Sequence, residues 1–144
     1  MKLIAAGLSD VGRKRKGNED SYHIDLDRGL FIVADGMGGH VAGEVASRLA
    51  VQTIQEFMRV SDTDSEITWP FEFDDSLSED GNRIQAAIQL PNREIGRHMQ
   101  NQEEHRGMGT TVVTAEVVED ACYIGHVGDS RAYLIRGGEI RQLT

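Results

Sequence analysis

The apolar run LFIVA at residues 30–34 ends on an aspartate, and three of the next four residues are glycine: Asp35-Gly36-Met37-Gly38-Gly39. A helical pattern then opens at Val41. Five apolar residues in succession read as a central strand, covered on both faces. A carboxylate at the mouth of such a strand costs desolvation unless something positive neutralises it. The glycines imply that backbone, rather than side chain, comes close to whatever lies there. A phosphate, a metal ion and a plain tight turn all meet those terms.

The rest of the chain supplies partners for that strand. Residues 3–8 and 22–26 read as strands flanking a polar turn at 12–18. Ala42, Val45, Ala46, Leu49, Ala50, Ile54, Phe57 and Met58 mark one face of a helix running to about Arg59. Residues 62–80 hold eight acids and no base and read as a solvated loop, with Trp69-Pro70-Phe71 pinning it to the body. Helical spacing returns over 83–100, where Pro91 implies either two helices or one kinked helix. From Thr110 the period becomes two, giving strands at 110–117, 121–127, 132–135 and 139–143. Glu119-Asp120, Gly128-Asp129-Ser130 and the hairpin pair Gly137-Gly138 supply the turns. No repeat or linker divides residues 1–144, so one domain is expected.

Charge and composition exclude several classes. A net charge of −9 argues against a nucleic-acid binder, which needs an excess of Lys and Arg. No apolar run is long enough to span a bilayer, and the N-terminal segment has no cleavage-site pattern, so no membrane association is expected. The single cysteine, Cys122, allows no internal disulfide and fits a reducing compartment, with the cytoplasm as the default. It reads as a small core residue, with no C-x5-R signature around it to make it a nucleophile.

Three acidic sites share one pattern, a carboxylate at a strand–turn boundary: Glu19-Asp20, Asp35 and Asp129. Hard divalent cations take carboxylate and carbonyl oxygens, and Gly36 could offer its carbonyl with no side chain in the way. The basic run Arg13 to Lys16, RKRK, lies just before the first site. Together these suggest a metal site that handles phosphate. The glycines lack the third position of G-x-G-x-x-G, no Walker A lysine is present, and Asp25-Leu26-Asp27-Arg28-Gly29 does not continue as an EF-hand.

SDVGRKRKGNEDSY (9–22), LFIVADGMGGHVAGEVAS (30–47), GMGTTVV (107–113) and GHVGDSRAYL (125–134) together resemble the metal-dependent Ser/Thr protein phosphatases of the PPM (type 2C) class, in their bacterial form. The resemblance implies an α+β fold: a four-layer α-β-β-α sandwich of two antiparallel sheets flanked by helices, incomplete at the C-terminus. It implies hydrolysis of phosphoserine and phosphothreonine by a water bridging two Mn²⁺ or Mg²⁺ ions, with room for a third. Arg15 falls on the arginine that grips the substrate phosphate, as a planar guanidinium suits. Asp20 and Asp35 fall on metal ligands, Asp35 bridging both ions; Glu19 falls on support for the second ion, and Gly36 on a carbonyl ligand. Asp129 falls on the acid serving the second or an additional ion. The implied partners are Ser/Thr-phosphorylated proteins, opposing a Ser/Thr kinase.

Two departures accompany the resemblance. Met37 stands where the eukaryotic branch often has a histidine, which leaves His40 as the candidate proton donor or as a plain helix-start residue. Two further metal aspartates of the family, in Ser-Asp-Gly and Asp-Asn motifs, are not found in 1–144. The chain is therefore expected to be the N-terminal part of a single phosphatase domain, with a non-catalytic phosphoprotein- or partner-binding fragment as the alternative. Thr110 and Thr111 read as structural, His126 as packed or hydrogen-bonded, and Arg131 as a brace for the turn carrying Asp129.

Overall fold

The computed structural model describes residues 2–39, 41–63 and 68–144. Strands β1 (Asp20–Asp25), β2 (Leu30–Met37), β4 (Val112–Val118) and β5 (Ala121–Val127) form an antiparallel sheet in the order β1-β2-β4-β5. The two-residue strand β3 (Gly109–Thr110) pairs with the end of β2. A separate hairpin is made by β6 (Tyr133–Arg136) and β7 (Glu139–Gln142). Its turn is Gly137-Gly138, with φ of +60° and +82°, conformations that side-chain-bearing residues rarely adopt.

Helices α1 (Val41–Thr63) and α2 (Glu79–Asn101) cover one face of the sheet. The core joins Leu30, Ile32 and Ala34 of β2 to Ala50, Ile54 and Met58 of α1 and to Ile84 and Ala87 of α2. Gly125 lets α2 come close, since a Cβ there would lie 2.7 Å from Ile84 Cγ2. Trp69 and Phe71 pack against this core as expected. Trp69 meets Phe57 edge-on at 6.4 Å, and the Arg93 guanidinium lies 4.6 Å from the centre of the Phe71 ring.

The α+β class and the antiparallel sheets follow the sequence, and several details do not. The strand expected at 3–8 is absent: these residues form no ladder and lie along the outer face of the sheet, where Gly7 passes so close to the Tyr22 ring that a Cβ would overlap it. Strand β2 does not end at Ala34 but continues through Asp35 and Gly36 to Met37, because β3 offers it a further partner. Nor is it covered on both faces. Leu30, Ile32 and Ala34 are buried under the helices, whereas Val33, on the opposite face, is 52% exposed.

Helix α1 runs four residues past Arg59, and the second helix starts at Glu79, so both ends of the acidic stretch are helical. Pro91 is buried inside a single helix, whose N-terminus is capped by Ser78 Oγ accepting from the Gly81 N–H at 3.1 Å. Cys122 is exposed rather than a core residue, because the alternation of β5 turns it away from the helices. His126 is exposed on the same outer side.

Candidate metal and phosphate site

The antiparallel register of β1 and β2 sets Asp20 directly opposite Asp35. Partners in a ladder project from the same face, so both carboxylates emerge on the face away from the helices. They are close enough to share a hydrogen bond. The Asp35 carboxyl is held above its ordinary value first by partial desolvation, then by the charge of Asp20 and their shared hydrogen bond. The guanidinium of Arg15 acts in the opposite direction, and Asp129 adds a smaller upward push. Arg15, Asp20 and Asp129 thus each lie within electrostatic reach of Asp35.

Local hydrogen bonds fix the first carboxylate. Asn18 Oδ1 accepts from the Asp20 N–H at 3.0 Å, and Asn18 Nδ2 donates to Ser9 Oγ at 2.7 Å. Ser9 Oγ in turn donates to Asp20 Oδ2 at 3.3 Å. Ser9 and Asn18 therefore orient Asp20, a role that neither announces in the sequence. The signal available was weak: both flank the basic turn, but serine and asparagine are ordinary turn residues.

Gly36 is closely approached by the backbone of its neighbours. Its N–H donates to Glu19 O at 3.1 Å, which turns its carbonyl to the same β1 side of the strand. A Cβ on Gly36 would overlap the Gly43 carbonyl of α1 and lie 2.6 Å from Glu19 O. Gly43 was not singled out from the sequence, yet its missing side chain is what the Glu19 carboxylate fills: a Cβ there would overlap Glu19 Oε2. Glu19, the residue before β1, thereby has its carboxylate against α1. Among the described residues no three His, Cys, Asp or Glu side chains converge as a ready chelate.

Asp129 is exposed on the turn between β5 and β6. Arg131 does not brace that turn; its guanidinium donates to the Tyr133 hydroxyl at 3.2 Å. The brace is Ser130, whose hydroxyl lies 2.6 Å from Thr111 Oγ1, together with Thr144 Oγ1, which donates to Ser130 O at 3.3 Å. His40, the candidate proton donor, lies outside the described residues.

The donor set fits a hard divalent cation. It consists of oxygens alone, and two like charges held face to face favour a cation between them. A phosphate anion suits a guanidinium such as that of Arg15, whose charge reaches Asp35.

The family model described as protein phosphatase 2C matches residues 12–144. The protein phosphatase PhpP of Streptococcus pneumoniae is 37% identical over 141 residues, covering 95% of this chain and 52% of that protein. The serine/threonine phosphatase stp of Listeria monocytogenes is 37% identical over 143 residues, covering 94% and 51%. The crystal structure of the Mycobacterium tuberculosis serine/threonine phosphatase PstP/Ppp superposes with a TM-score of 0.76 at 34% identity, covering 95% and 52%. A structure of the PstP catalytic domain in complex with two manganese ions gives 0.74 at 34% identity, covering 95% and 53%. The chain spans about half the length of each of these proteins.

Proposed function

The chain belongs to the protein phosphatase 2C family, and from that membership we propose that it serves the divalent-metal-dependent hydrolysis of phosphoserine and phosphothreonine in proteins, opposing a Ser/Thr kinase. The observation that carries this reading is the cross-strand pair Asp20 and Asp35, with Arg15 within electrostatic reach of Asp35. Asp20 and Asp35 would hold Mn²⁺ or Mg²⁺, joined by the Gly36 carbonyl, with Asp129 toward a second or third ion and Glu19 acting from the helix side. Bound divalent cations supply charge neutralisation at the phosphoryl oxygens and lower the pKa of water at the site. The guanidinium of Arg15 takes two phosphate oxygens and fixes the phosphoryl group against the carboxylate pair. Ser9 and Asn18 keep Asp20 from turning away when its charge is neutralised.

The second reading is a phosphoprotein-binding role without turnover. It is favoured by the failure of three acidic side chains to converge among the described residues. Phosphate release from a phosphothreonine peptide separates the two. The hydrolytic reading predicts release that needs Mn²⁺, stops with chelator and falls at least about a hundredfold in Asp35→Asn. Tight phosphopeptide binding with no release, lost in Arg15→Ala, would establish the second reading and end the first.

A further inference from the structure

We propose that Thr111 is a positioning residue whose hydroxyl joins the Asp35 strand to the turn carrying Asp129, holding the two carboxylates in one metal site. The proposal rests on the metal reading above. Strands β2 and β3 pair as Gly36↔Thr110, and β2 and β4 as Val33↔Val113, so one unbroken register sets Thr111 opposite Asp35. In an antiparallel ladder two such residues exchange both N–H···O=C bonds. Only one of the two is a backbone pair here. The Thr111 N–H donates to Asp35 O at 2.9 Å, but the Asp35 N–H donates to Thr111 Oγ1 at 3.3 Å. The Thr111 carbonyl that would have received it is taken by Thr110 Oγ1 at 2.8 Å.

That exchange puts a side-chain hydroxyl where a carbonyl belongs, and the hydroxyl has capacity left over. An oxygen accepting from Asp35 still has a proton to give and a second lone pair. Ser130 Oγ, at 2.6 Å, uses one of them, either hydroxyl being able to donate. Ser130 directly follows Asp129. The turn is pressed home at its other end by Gly128, whose φ is +90° and whose added Cβ would lie 2.8 Å from Thr111 Cγ2. Thr111 is itself buried, and both hydrogen bonds of its hydroxyl are part-buried. The chain of contacts therefore runs Asp20, Asp35, Thr111, Ser130, from β1 across the sheet to the turn. Valine would keep the shape of Thr111 but leave the Asp35 N–H and the Ser130 hydroxyl without a partner, whereas serine would keep the hydroxyl.

Two readouts on the 144-residue chain test this. The first is amide exchange at Asp35 in metal-free protein: faster exchange in Thr111→Val, restored in Thr111→Ser, is expected, and unchanged exchange in the valine variant overturns the link. The second is Mn²⁺ affinity by titration of the free-ion spin-resonance signal. Affinity should weaken about tenfold in Thr111→Val and recover in Thr111→Ser, the size typical when a residue orienting metal ligands is lost. Unchanged affinity in a folded valine variant with a broken link overturns the positioning role. Ser130→Ala cuts only the turn side of the link and should weaken Mn²⁺ binding in the same direction, so the question stays decidable if the valine variant does not fold. A wild-type chain that takes up no Mn²⁺ overturns both the positioning role and the metal reading; an unlinked Thr111 in a chain that does bind Mn²⁺ overturns the positioning role alone.

Discussion

At the scale of single residues, the two glycines facing each other across the strand–helix contact are not equivalent. A side chain on Gly36 would collide with backbone, the Gly43 carbonyl and Glu19 O, and backbone cannot move aside without shifting α1 against β2. A side chain on Gly43 would collide chiefly with the far end of Glu19, which can swing out, and press only lightly on backbone, 3.1 Å from Gly36 C. Gly36→Ala should therefore destabilise the fold by about 1–3 kcal/mol or more. Gly43→Ala should cost clearly less while displacing the Glu19 carboxylate. Urea unfolding of the two variants checks the order, and equal losses would contradict it. Asp35 itself was legible in the sequence because a charged residue ending an apolar run is costly and asks for a reason. Gly43 was not, since a glycine early in a helix announces nothing until the residue that fills its space is known.

At the scale of elements, one arginine ties both helices to the sheet. Arg83 of α2 donates to Asp62 of α1 at 2.7 Å, to Asp80 at 2.8 Å, and to both oxygens of Glu116 on β4 at 3.0 and 3.1 Å. Glu116 is buried on the helix-facing side of the sheet. Burial pushes its carboxyl above the ordinary value of 4.5, outweighing the lowering by Arg83. The folded chain thus binds this proton more tightly than the unfolded chain does. The stability it contributes is complete below the ordinary glutamate range and is lost as pH rises through the raised value. Comparing wild type with Glu116→Gln by urea unfolding from about pH 4 to about pH 8 should show the difference moving in favour of the variant as pH rises. Movement the other way would mean that Arg83 dominates.

The strand alternation from Thr110 onward was readable, but not which set faced inward. Val113, Ala115 and Val117 form the more apolar set, yet it is Val112, Thr114 and Glu116 that share a face with Leu30 and Ile32. Arg83 makes that arrangement tolerable, and a partner from a distant helix leaves no mark on local periodicity. Pro91 was likewise ambiguous, because tertiary packing carries α2 through a residue that local propensity would use to break it.

At the scale of the whole molecule, the sheet separates two jobs. One face is packed by helices and supplies stability; the other carries Asp20, Asp35 and Thr111 in a row, with the turn of Asp129 at its end. Adjacent strands turn residues far apart in sequence into neighbours, which is why motifs at positions 15–20, 35–36 and 129 could be read as one site before any pairing was known. What the motifs could not give was the face each side chain takes, and Glu19 shows the consequence: next to Asp20 in sequence, it lies against α1.

The most direct test of the paired carboxylates as a cation site is the thermal unfolding of wild type and Asp35→Asn, each with and without Mn²⁺. Without metal, the variant should unfold at the higher temperature, because removing one charge relieves the pressed-together pair. With Mn²⁺ in excess, wild type should gain stability by mass action and the order should reverse. An equal shift in both proteins, or none in either, would show that Asp20 and Asp35 do not hold the ion.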